Sequence, residues 1–199
     1  DFALEALQNA YELDPANENT TYLLGAIYQI MGNNIKATTF LSLALSNGYP
    51  AKDDINRRLA EIYLADKNYD LAVGKYVEII GEKAKINDYV RPIWIYIDLL
   101  QKPGEALRLA EEAEQKWPNE AMSYNLVGWA QLGLGSFAEA EKNFKKALSM
   151  DANFAAAHLN LGKLYERQNE KEKALNEYQS ALTKGAGSAV GEQASLLFN

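Results

Sequence analysis

The sequence predicts an all-α fold, an α-solenoid of stacked helix–turn–helix units, and three observations predict it. Small residues recur along the chain at intervals of about 34 residues. Each interval holds two stretches with apolar residues at helical spacing, such as Leu59, Ile62, Tyr63 and then Leu71, Ala72, Tyr76, Ile79, Ile80. Turn-rich breaks separate the stretches: Met31-Gly32-Asn33-Asn34, Asp66-Lys67-Asn68, Lys102-Pro103-Gly104 and Gly133-Leu134-Gly135-Ser136. Sustained alternation of apolar and polar residues, the mark of strands, is nowhere convincing.

The repeat is read most easily from Ala3, Ala37, Ala72, Ala106, Ala140 and Ala174, which hold a constant step except for one extra place between Ala37 and Ala72. Seven places on, Ala10, Ala44, Ile79, Ala113, Ala147 and Ala181 run in phase, with Leu7, Leu41, Tyr76, Ala110, Phe144 and Tyr178 between the two series. Upstream stand Gly25, Ala60, Gly128 and Gly162, with Trp94 the exception; three places later come Tyr28, Tyr63, Ile97, Gln131 and Tyr165. Repeated small residues let two helices approach closely, so each unit is a helical hairpin that needs stacked neighbours to bury both faces. This pattern resembles the tetratricopeptide repeat along essentially the whole chain. The resemblance implies a right-handed superhelix whose inner groove is lined by the first helix of each unit.

In this frame residues 1–17 are the second helix of an incomplete unit. Full units follow at 18–52, 53–86, 87–120, 121–154 and 155–188, and 189–199 is a C-terminal helix or the start of a further unit. Asn47-Gly48-Tyr49-Pro50 accommodates the one extra residue, and Pro103 sits where a second helix starts and its missing N–H is tolerated. The unit at 87–120 is aberrant: Trp94 stands where Gly or Ala is expected and Ala110 where an aromatic is expected, an exchange of bulk that keeps core volume about constant and reads either as a neutral swap or as a local change in superhelix curvature. Pro92, early in its first helix, leaves room for a kink. Both ends are apolar, at Phe2, Leu4 and Leu7 and at Ser195-Leu196-Leu197-Phe198. The expectation is an excerpt of a longer protein, or surfaces that pair with a second copy; the chain opens at Asp1 rather than Met, consistent with removed upstream sequence.

Composition narrows function by exclusion. With 27 acidic and 20 basic residues the formal net charge is −7, which argues against nucleic acid as a partner, since phosphate binding draws on Lys and Arg. The densest apolar run, Ile93 to Ile97, is far too short to span a bilayer, so no direct membrane insertion is expected. Cysteine is absent, which removes disulfides, thiolate zinc sites and cysteine nucleophiles. The compartment stays open between cytoplasm, the default, and a periplasmic or membrane-anchored setting. The sequon Asn19-Thr20-Thr21 is read as a chance triplet.

No constellation for catalysis emerges, so the chain is read as non-catalytic, with no cofactor and no metal. His158 is the one histidine and is read as a packing residue. Gly133-Leu134-Gly135 and Lys184-Gly185-Ala186-Gly187-Ser188 follow no strand and are read as turns rather than phosphate loops. The run from Glu166 to Glu177 is a solvated helix face with i,i+4 pairs.

What the resemblance leaves is the groove. Carried over residue by residue, it implies a peptide-binding surface at Tyr22, Arg57, Arg91, Ile95, Asn125, Trp129, Leu132, Leu159 and Lys163. The expected function is a scaffold that holds a segment of a partner protein or peptide there. The alternative is an assembly module that oligomerises or stacks through its repeat ends. The carboxylate clamp of chaperone-binding members is missing, because the matching places hold Arg57, Glu61, Pro92, Met122 and Leu126. The asparagine ladder of the family's glycosyltransferases is missing too, its places being held by Leu23, Arg58, Pro92, Leu126 and Asn160.

Overall fold

The computed structural model describes residues 2–198, and all regular structure among the described residues is helical. The chain divides into two compact units, Asp1–Ala84 and Lys85–Asn199. The first unit contains α1 (Phe2–Leu13), α2 (Glu18–Ile30), α3 (Asn34–Ser46), α4 (Lys52–Ala65) and α5 (Tyr69–Val77). Asn17 starts α2 by accepting a hydrogen bond from the Thr20 amide at 2.9 Å, satisfying one of the amides left open at a helix N-terminus. The hairpin of α2 and α3 closes on Gly25: a Cβ there would stand 2.7 Å from Leu41 Cγ, so only glycine admits the leucine. Leu24, Leu41, Ile55 and Leu59 form the buried core of this unit, with Tyr28 stacked on Phe40 at its edge.

The second unit opens with a 3₁₀ turn (Ile86–Tyr89), α6 (Val90–Trp94) and a π turn (Ile95–Leu99). It continues with α7 (Pro103–Lys116), α8 (Ala121–Leu134), α9 (Phe137–Met150), α10 (Ala155–Arg167), α11 (Lys171–Lys184) and α12 (Ala189–Phe198). Two of its hairpins obey the same steric rule. A Cβ on Gly128 would lie 2.7 Å from the Phe144 ring, and one on Gly162 would lie 2.5 Å from the Tyr178 ring. Phe144 and Tyr178 thereby pack directly on the backbone of the facing helix, in a core that also holds Leu161, Leu164 and Ala181.

The turn inside each hairpin repeats one backbone conformation. Gly32, Lys67, Gln101, Gly135 and Asn169 all have positive φ, at 72°, 59°, 54°, 78° and 62°, and they recur at the period of the repeat. At Gly135 the amide donates to Leu132 O at 3.1 Å and the Ser136 amide to Gln131 O at 2.9 Å. A left-handed residue at this point satisfies the last carbonyls of the first helix and reverses the chain.

The first helix of the aberrant unit is where the structure departs from the expected register. Pro92 lacks an N–H, and the segment changes from 3₁₀ to α to π geometry, the π turn closing with the Leu100 amide on Ile95 O at 2.9 Å. A π turn inserts one residue relative to an α-helix, so the inward face shifts by one. Trp94, expected in the core, is half-buried beneath the Arg91 guanidinium, and Ile95, expected in the groove, is fully buried.

Candidate functional site

Residues at i, i+3 and i+7 share one side of a helix, and the first helices of the second unit present three such sets in phase. Met122, Asn125 and Trp129 on α8 correspond, one repeat on, to Ala156, Leu159 and Lys163 on α10. One more repeat leads to Val190, Gln193 and Leu197 on α12. The first two residues of each set, with Trp129 and Lys163, line a hollow of about 540 Å³. Trp129 and Lys163 also border a smaller hollow of about 250 Å³, whose wall includes Leu197, Asp98 and Leu132.

The position of α12, one wall of the site, is fixed by a close backbone crossing. A Cβ on Gly191 would lie 2.2 Å from Gly185 O, so α12 sits against the end of α11 only because both residues are glycine. At the base of the larger hollow, Asn160 Nδ2 donates to Asn125 Oδ1 at 3.0 Å. Both side chains are more than nine-tenths buried, Asn125 at 4% exposure and Asn160 at 6%, and buried amides normally spend their full hydrogen-bonding capacity. Asn125 Nδ2 and Asn160 Oδ1 make no further bond with a described residue but are open to the hollow, whereas the one enclosed side-chain polar atom without a partner among the described residues is Asn56 Oδ1, in the first unit. Trp129 is half-buried, packed against the core and bordering both hollows.

The electrostatics are asymmetric. No carboxylate lines the larger hollow among the described residues, whereas Lys163 and Lys184 do. Lys184 donates to Asn153 Oδ1 at 2.9 Å, and Lys163 makes no hydrogen bond or ion pair with a described residue. Burial pushes the Lys163 ammonium below the usual lysine range, opposed by the charge of Asp98. Burial raises the Asp98 carboxyl, opposed by Lys163 and Arg167. The other charged groups of the smaller hollow are engaged: Glu166 accepts from Tyr178 Oη at 2.8 Å, and Arg167 donates to Leu132 O at 2.9 Å.

Of the residues expected in the groove, the structure brings Asn125, Trp129, Leu159 and Lys163 together around the larger hollow and places Leu132 at the smaller one. Arg91 is exposed and lines neither hollow, and Ile95 is core. Tyr22 and Arg57 belong to the first unit, where Tyr22 stacks on Tyr49 at 4.2 Å and donates to Asp54 at 2.7 Å, while Arg57 is exposed. Sequence reasoning missed Asn160, Val190 and Gln193. The signal was present for each: Asn160 is the one asparagine at the places of the family's asparagine ladder, and Val190 and Gln193 follow Ala156 and Leu159 by one period. His158 ties α10 to α11 through Glu177, at 2.6 Å from Nδ1, with Ala152 O at 3.2 Å from Nε2. Among the described residues no cluster of three histidines or carboxylates is placed to hold a metal, and no helix is long and apolar enough to cross a membrane.

Comparison with known proteins agrees with the repeat architecture. Residues 128–189 match the family model described as tetratricopeptide repeat. The heat shock protein STI1 of Saccharomyces cerevisiae is 34% identical over 108 residues, covering 53% of this chain and 18% of that protein. The chain spans less than two thirds of the length of the curated relatives it matches. Among solved structures, TTC0263 of Thermus thermophilus, a thermophilic TPR protein, superposes with a TM-score of 0.61 at 20% identity, covering 92% of this chain and 97% of that one. YrrB, a TPR protein with an unusual peptide-binding site, superposes with a TM-score of 0.59 at 18% identity, covering 97% of this chain and 99% of that one. At these identities the likeness is one of fold.

Proposed function

We propose, from the premise that the chain is a tetratricopeptide-repeat protein, that it is a protein-interaction scaffold whose second unit receives a segment of a partner in the larger hollow. The observation that carries the reading is the convergence of Asn125, Trp129, Leu159 and Lys163 on one concavity of about 540 Å³. That size, with apolar walls and a few convergent polar groups, suits a short stretch of chain anchored by one or two side chains. Trp129 is the expected anchor, because a large aromatic at the centre of a concave surface concentrates binding energy. The structure of YrrB, with its peptide-binding site, lends support by analogy of fold.

The test begins with peptides selected by the immobilised protein from a displayed random library. Trp129→Ala should weaken their binding about thirtyfold, roughly 2 kcal/mol, with the helical circular dichroism unchanged. Equal binding by the variant would remove the anchor and the reading with it. A loss of helical signal would assign the tryptophan to the core. A second reading, assembly through apolar helix faces, is favoured by Leu196, which is 82% exposed on α12. Sedimentation that changes with concentration in the wild type, and not in Leu196→Glu, would support it.

A further inference from the structure

The larger hollow belongs to a chain whose acidic residues outnumber its basic ones, yet no described carboxylate lines it. One of its cations, Lys163, is half-buried and makes no hydrogen bond or ion pair with a described residue. Two amides on its lining, bonded to each other, leave one group each open to the hollow, a donor on Asn125 and an acceptor on Asn160. A peptide unit in extended conformation offers the complementary pair, a carbonyl for Asn125 Nδ2 and an N–H for Asn160 Oδ1. A carboxylate is the complement of a cation whose desolvation the charges of Asp98 and Glu166 offset only in part.

We infer that the hollow is selective for an extended segment carrying a carboxylate beside an apolar side chain, with Lys163 as counter-charge, the Asn125–Asn160 amides as main-chain partners, and Asp98 as the competing carboxylate that sets affinity. This rests on the reading that the hollow is the binding site. Asp98 acts from the smaller hollow, which Lys163 also borders. Its charge acts on Lys163 without a hydrogen bond between them. A ligand carboxylate in the larger hollow therefore competes with Asp98 for the same ammonium. The two charges make predictions of opposite sign, which a merely structural role for either residue does not.

The probe is an array of short, end-blocked peptides of apolar residues containing one Glu, each paired with its Gln counterpart, read with the full chain by fluorescence anisotropy. Wild type should prefer the Glu member of a pair about tenfold, the scale of one charge-assisted hydrogen bond. Lys163→Gln should erase that preference, and Asp98→Asn should enlarge it about threefold, both with unchanged circular dichroism. Equal binding of Glu and Gln members by wild type, with both lost in Trp129→Ala, would overturn the carboxylate selectivity and leave the groove reading standing. Binding of neither member, or binding indifferent to Trp129→Ala, would overturn both. A preference that persists in Lys163→Gln would overturn the assignment of the counter-charge.

Discussion

Several tyrosines in this protein bury their rings and end on a carboxylate. Tyr178 donates to Glu166 at 2.8 Å, Tyr165 to Glu141 at 2.8 Å and Tyr89 to Glu112 at 2.7 Å. The arrangement lets a large apolar body enter the core while its hydroxyl keeps a partner. Burial and the adjacent Glu141 push the Tyr165 hydroxyl up to about 12, and hydrogen bonds from Lys145 and then Tyr165 hold the Glu141 carboxyl below its ordinary range. A carboxyl depressed in the folded state contributes stability that is full above its unfolded pKa and is lost as pH falls through its folded pKa. Glu141→Gln should therefore lower the melting temperature at neutral pH, with the gap to wild type closing as the solution is acidified into the carboxylate range. A gap that is constant with pH would mean that the Glu141 charge contributes nothing. The aromatic rings were legible in the phase of the repeat, but their carboxylates were not. Glu141 lies on α9, in the hairpin before the one that holds Tyr165, at an offset that no helical period marks.

At the scale of elements, three of the hairpins were legible because each rests on a glycine facing a large side chain, a relation that sequence spacing preserves. Gly128 with Phe144 and Gly162 with Tyr178 are direct instances. The reversal of Trp94 and Ile95 was not legible. Carrying a groove position forward assumes an unbroken α-helix, and Pro92 with the π turn changes the count by one. The hairpin turns carry a separate consequence. Three of the five left-handed turn positions hold residues other than glycine: Lys67, Gln101 and Asn169. A left-handed residue with a Cβ costs about 1–2 kcal/mol, and glycine's extra chain entropy offsets about 0.5–1 kcal/mol of the relief. Gln101→Gly should accordingly raise stability by about 0.5–1 kcal/mol, read as a higher urea midpoint at constant slope. A lower midpoint would show that the turn is held by the glutamine side chain, whose Nε2 donates to Asp98 O at 3.1 Å, more than by backbone geometry.

Over the whole molecule, the excess of carboxylates and the composition of the larger hollow point in opposite directions, and that contrast carries the functional account. Charge counting alone reads only the net value of −7 and turns away nucleic acid. It does not show that Lys163 borders a larger hollow in which no described carboxylate lies, because that depends on Asn125, Leu159 and Gln193 converging from three helices. The chain has three tryptophans, and among them only Trp129 borders the hollow, so its indole N–H resonance is a reporter placed at the site. The most direct measurement is a ¹H–¹⁵N titration of the full chain with the Glu-containing peptide that binds best on the array. The account predicts that the Trp129 indole signal and the side-chain amide signals of Asn125 and Asn160 shift together and saturate, while the indoles of Trp94 and Trp117 stay in place. Saturating shifts confined to Trp94 or Trp117, with Trp129 and both asparagines unmoved, would contradict it.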